Sequence, residues 1–97
     1  MSQAIQDVTT ERNRQVDKEG YDHDHDDQYE TGELAIAGYC YANHAVYRIR
    51  HGEKIKLKTP INWPWSGEFW KPKNPRQDLV RSAALIIAEI ERIDRRA

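Results

Sequence analysis

From Leu79 onward, apolar residues recur at alternating steps of four and three: Leu79, Ala83, Ile86, Ile90 and Ile93, with Val80 and Ile87 widening the stripe. That period predicts an amphipathic α-helix of about five turns. Its start is equally readable. Asn74 suits an N-cap, Pro75 suits the first helical position, and Gln77 stands three residues after the cap, as in a capping box. Leu85 and Ala88 lie off the main stripe, which predicts cover on a second side by another chain and hence a homo-oligomer. An earlier helix is expected from Gly32 to about Ala45, with Thr31 as cap and Leu34, Ala37, Gly38, Tyr41 and Ala45 sharing one face. A first helix carries the thin stripe Ile5, Val8, Arg12 and Val16 and stops at Gly20. Between the second and third helices, Tyr47 and Ile49, then Ile55 and Leu57, alternate with basic residues around His51-Gly52, the pattern of a short β-hairpin with Lys54, Lys56 and Lys58 on its other face. The expected fold is therefore mainly α, one small helical domain over residues 1–97 with frayed residues 1–4, three principal helices and a β-hairpin insertion between the second and third.

Composition fits this picture and adds a polarity. With 38% hydrophobic and 32% charged residues among 97, the chain is globular but polar. No apolar run approaches the roughly 20 residues of a membrane span. A polar start without a secretory core and the single Cys40 point to a reducing cytoplasm. The net charge of −1 conceals an asymmetry. Residues 17–33 hold eight acidic side chains against one lysine, whereas residues 48–81 hold nine Lys or Arg against three acidic residues. An anionic small molecule would be steered to one part of the surface, while the overall charge argues against nucleic acid as a partner.

Three constellations carry candidate chemistry. In the first, Asp22, Asp24, Asp26, Gln28, Glu30 and Glu33 stand in the register of a calcium loop, but Asp27 occupies the position where the sharp turn needs glycine. Solvated helix caps account for the acids equally well, and no metal or cofactor is expected. In the second, all three tryptophans fall between Trp63 and Trp70, beside Lys71, Lys73 and Arg76. Indole rings there either staple a loop to the core or stack on a base while the cations meet phosphates at the N-terminus of the last helix. Trp70, next to Lys71, is the ring expected to be exposed. In the third, Tyr21 and Tyr41 supply apolar walls with polar tips, as a small-molecule pocket requires. The chain has no nucleophile elbow, phosphate-cradling glycine loop or recognisable Cys and His pairing, so binding is expected rather than catalysis.

The strings Arg14-Gln15, Glu19-Gly20-Tyr21, Asp26-Asp27-Gln28-Tyr29, Gly32-Glu33-Leu34, Trp63-Pro64-Trp65 and Trp70-Lys71-Pro72, with the helix from Leu79 to Asp94, resemble a group of small bacteriophage and prophage proteins. More distantly, the order of an arginine, Glu-Gly-aromatic, an acidic loop and later cations entering a helix is similar to the ryanodine-receptor repeat domain, a compact helical module. The chain departs from that domain in carrying Tyr21 where tryptophan is usual and in lacking its histidine-proline element. The resemblance implies a phage-encoded accessory protein in the host cytoplasm that captures a nucleotide-like ligand, with sequestration of an immune signalling nucleotide as its anti-defence role. Carried over by position, Arg14, Gly20, Tyr21, Asp27, Trp65, Trp70, Lys71 and Arg76 would surround the pocket, Gly20 structurally. The alternative is a protein-interaction module that inhibits a host enzyme or defence protein through the acidic loop or the apolar last helix.

Overall fold

Ser2 caps the first helix, its Oγ accepting from the Ile5 N–H at 3.2 Å. The computed structural model describes residues 1–55 and 57–96, and in it this helix, α1, spans Gln3–Glu19. Gly20 ends α1 with φ 73°, a left-handed conformation that costs glycine little and other residues more. The acidic segment then folds as a five-residue helix, α2 (His23–Asp27), where Asp22 accepts from the His25 N–H at 3.0 Å. Two long helices follow, α3 (Glu33–His51) and α4 (Pro75–Arg96), joined by a segment whose described part contains one 3-10 turn at Gly67–Phe69. The expected cap of α4 is present: Asn74 Oδ1 accepts from the Gln77 N–H at 2.9 Å, and its Nδ2 donates to Gln77 Oε1 at 2.8 Å. At α3 the capping runs the other way, with Thr31 N–H and Oγ1 both donating to Glu33 Oε1.

Among the described residues the expected β-hairpin does not form and there is no strand; Lys56, expected on its other face, lies outside them. Tyr47 and Ile49 belong to the last turns of α3, which runs on past Ala45 to His51 and closes at Gly52. Two alternating pairs suit the exposed flank of a helix as well as they suit a strand. Arg48 decides the matter, because it lies four residues after His44 on the buried face and finds carbonyl partners at Glu53 and Lys73. The alternative helical period is thus completed by a buried cation, which a search for apolar residues passes over.

α3 and α4 pack antiparallel. Gly38 lies so close to α4 that a Cβ there would sit 2.9 Å from the Ser82 carbonyl oxygen. The Ala35 N–H reaches Glu89 Oε1 at 3.2 Å, and His44 faces Asp78 at 3.7 Å. α1 lies along another side of α4, tied by Asp7–Arg76 at 2.8 Å and Arg12–Glu91 at 3.0 Å. Leu34, Ala37, Cys40, Tyr41, Trp63, Leu85 and Ala88 form the apolar core.

The stripe that predicted α4 does not face that core. Leu79, Ile86, Ile90 and Ile93 are exposed, whereas Asp78, Ser82, Leu85, Glu89 and Arg92 are buried against α3. Small residues and hydrogen-bonding side chains win this face because α3 approaches closely, and because the Ala35 N–H at its start and the Lys73 N–H of the loop find acceptors in Glu89 and Asp78.

Candidate ligand-binding cavity

The loop of residues 57–74 is anchored by polar side chains from the two long helices. Arg48 Nη1 donates to the Lys73 carbonyl at 2.7 Å, and the Lys73 N–H donates to Asp78 Oδ1 at 2.8 Å. Arg81 Nη1 donates to the Lys71 carbonyl at 2.7 Å, and the Lys71 N–H donates to the Tyr41 hydroxyl at 3.3 Å. These bonds fix the loop backbone, so its side chains are presented from a rigid frame.

Its aromatic rings divide into two groups. Trp63 is buried in the core, where its Nε1 donates to the Ser66 carbonyl at 3.1 Å. Trp70, expected to be the exposed ring, instead stacks on Tyr41 with centroids 4.8 Å apart and meets His44 edge-on at 5.5 Å. Trp65 occupies the place foreseen for Trp70. It packs edge-to-face on Trp63 at 5.4 Å and turns its half-buried ring toward Tyr21 at 6.5 Å and Tyr29 at 5.3 Å.

Between Trp65, Tyr21, Tyr41 and Phe69 on one side and α1 with the start of α4 on the other lies a cavity of about 530 Å³. That volume falls within the range of about 300–1,000 Å³ typical of small-molecule sites. Arg14, Lys71, Lys73 and Arg76 line it, as the sequence led us to expect, together with Tyr21, Tyr41 and Trp65. Trp70 and Asp27 do not. Asp27 sits on α2 and holds Arg95 of α4 at 2.6 Å, a contact that keeps its carboxyl below the usual range.

Missing from the sequence reading were Arg81 and, Arg14 apart, the polar face of α1. Arg81 sits 4.8 Å over the Tyr41 ring as well as lining the cavity. Asp7, Thr10, Glu11 and Arg14 repeat at steps of three and four, so they were visible as a stripe, but polar stripes on helices usually just face water.

The charges are partly paired. Arg14 bridges Glu11 at 2.7 Å and Glu19 at 3.2 Å, which raises the arginine further above its normal value. Burial pushes the Glu11 carboxyl up, but its contacts with Arg14 bring it below normal overall. Gln3 and then Arg76 lower Asp7. Lys71 and Lys73 form no ion pair with any described residue. With Asp7, Glu11 and Glu19 against Arg14, Lys71, Lys73, Arg76 and Arg81, the lining carries a formal excess of two positive charges. Tyr21, pushed up to about 12 chiefly by burial and then by Glu19, keeps its proton and can donate.

The acidic segment has other duties. Asp22 caps α2, fully buried Asp26 pairs with Arg12 at 3.0 Å, and no group of three metal-ligating side chains converges among the described residues. No helix among them is long and apolar enough to cross a membrane. No family model, curated protein or solved structure matches the chain.

Proposed function

We propose that this chain is a binding protein that captures an anionic, nucleotide-like small molecule between α1, the start of α4 and the tryptophan loop. One observation carries the reading: a cavity of ligand size sets an aromatic wall of Trp65, Tyr21 and Tyr41 beside the unpaired cations Lys71 and Lys73. A planar base gains from stacking on the half-buried rings of Trp65 and Tyr21, roughly 1–3 kcal/mol each, whereas Tyr41, buried against Trp70 and Arg81, only closes the wall behind them. Phosphates gain from lysines that have no carboxylate to leave. The start of α4, where Arg76 pairs with Asp7, turns the positive end of the helix dipole to the same region. In the phage setting that the resemblance implies, such capture sequesters a host immune signalling nucleotide.

The alternative, inhibition of a host protein through the acidic segment, is less well supported. Asp22, Asp26 and Asp27 are engaged within the chain by the α2 cap, Arg12 and Arg95. The test is a set of thermal melts against cyclic and linear nucleotides. Ligand at a hundred times its dissociation constant adds about 2.7 kcal/mol, which for a domain of this size raises the melting temperature by about 10 °C or more. Trp65→Ala should abolish the rise while the protein stays folded, and Lys71→Ala with Lys73→Ala should weaken it. Melting temperatures that do not move across the whole panel would refute the nucleotide class.

A further inference from the structure

The apolar stripe that predicted α4 is only partly covered within the chain, where Ile86 borders Gly38 of α3. Leu79 and Ile86 are each 41% exposed, Ile90 51% and Ile93 53%. On α3, Tyr39 at 56%, Val46 at 42% and Ile49 at 62% are exposed too, with Ala42 between them. At 100° per residue, the α4 group projects from the half of the helix opposite Gln77, Val80 and Arg81, so this face lies away from the cavity. The close approach of α3 and α4 at Gly38 makes the two exposed stripes neighbours on one surface.

We propose that this surface is a homodimer interface, in which α4 packs antiparallel against α4 of a second copy about a two-fold axis near Ile86. The steps of four, three, four and three from Leu79 to Ile93 are those of a coiled-coil seam, sustained over about 21 Å of helix. The seam is centred on Ile86. An antiparallel pairing therefore sets Leu79 against Ile93 and Ala83 against Ile90, so every apolar position meets another and the helix dipoles oppose. A large side chain about half exposed presents on the order of 100 Å². The seven exposed residues thus offer roughly 700 Å² per copy, close to the about 800 Å² that each partner buries in an interface of standard size. The alanines and Ile87 at the margin supply the remainder. None of the seven carries a charge, so the pairing buries no unmatched ion. The two cavities would open outward on opposite sides, and the inference stands independently of what they hold.

Sedimentation of the full chain from about 1 µM to about 100 µM should give twice the 11.4 kDa chain mass at the upper end. Ile90→Glu combined with Ile93→Glu should sediment as one chain with an unchanged helical circular-dichroism spectrum, because both positions are more than half exposed in the single chain. Ile61→Glu, on the fully exposed loop surface, should leave the dimer intact. Ile86→Cys should form a disulfide-linked dimer under mild oxidation, since its two copies meet at the axis, and exposed Ile5→Cys should not. A mass of one chain throughout the range would overturn the proposal and leave the face to a different protein. A dimer that survives the paired glutamates would overturn it as well.

Discussion

Arg12 ties together three segments that the sequence keeps apart. Its Nη2 meets Asp26 Oδ2 at 3.0 Å, its Nε meets Glu91 Oε1 at 3.0 Å, and its Nη1 donates to the Tyr21 carbonyl at 3.2 Å. Asp26 is fully buried and Arg12 nearly so, and Asp26 Oδ1 also lies 3.0 Å from His25 Nδ1. Replacing Arg12 with methionine keeps much of the side-chain packing but leaves a carboxylate in the interior without its cation. Breaking a buried pair in this way costs about 3–5 kcal/mol, a large share of the 5–15 kcal/mol that holds a typical domain. For a chain of this length the melting temperature should fall by at least about 12 °C. Asp26→Leu should cost a similar amount by stranding the guanidinium. The double variant Arg12→Met with Asp26→Leu should recover most of the loss, because an apolar pair of similar bulk removes both desolvation penalties. Urea unfolding of the four proteins closes the cycle, and a coupling of at least about 2 kcal/mol is expected. Single variants that each cost under about 1 kcal/mol, or a double variant whose loss equals their sum, would refute the reasoning. Because Arg12 also holds the Tyr21 carbonyl, the single variant should loosen the aromatic wall of the cavity.

Two further outcomes follow from the packing of α3. Gly38→Ala should lower stability by about 1–3 kcal/mol in a thermal melt despite the better helix propensity of alanine, because the new Cβ would press on the Ser82 backbone oxygen; a variant as stable as the parent would show that the helices are not in such close contact. His44 is held below its ordinary value chiefly by burial, with Arg48 adding to the effect and Asp78 opposing it. The unfolded chain therefore binds a proton at His44 more readily than the folded one, so stability is full above about pH 6.5 and falls as the pH drops below it. His44→Gln should flatten that part of the profile, and an unchanged slope in urea titrations between pH 7 and pH 5 would count against the assignment.

The end of α1 and the start of α4 were legible because local chemistry decides them. Gly20 supplies a left-handed stop, and Asn74, Pro75 and Gln77 supply a complete start, using partners within three residues. The cavity was legible in part for a related reason: Tyr21, Trp65, Lys71, Lys73 and Arg76 announce themselves by residue type. Trp65 and Trp70, however, are five residues apart with similar neighbours, and only the position of Tyr41 on α3 stacks Trp70 against the core. Tyr47 and Ile49 alternated like a strand until Arg48 found carbonyls across a loop, at Glu53 and Lys73. The sequence by itself determined that α4 is amphipathic and where it begins. Tertiary structure alone decided which side it turns inward. That choice rests on long-range contacts such as the Ala35 N–H with Glu89 and Gly38 against Ser82, whose groups lie far apart along the chain, so no local period records them.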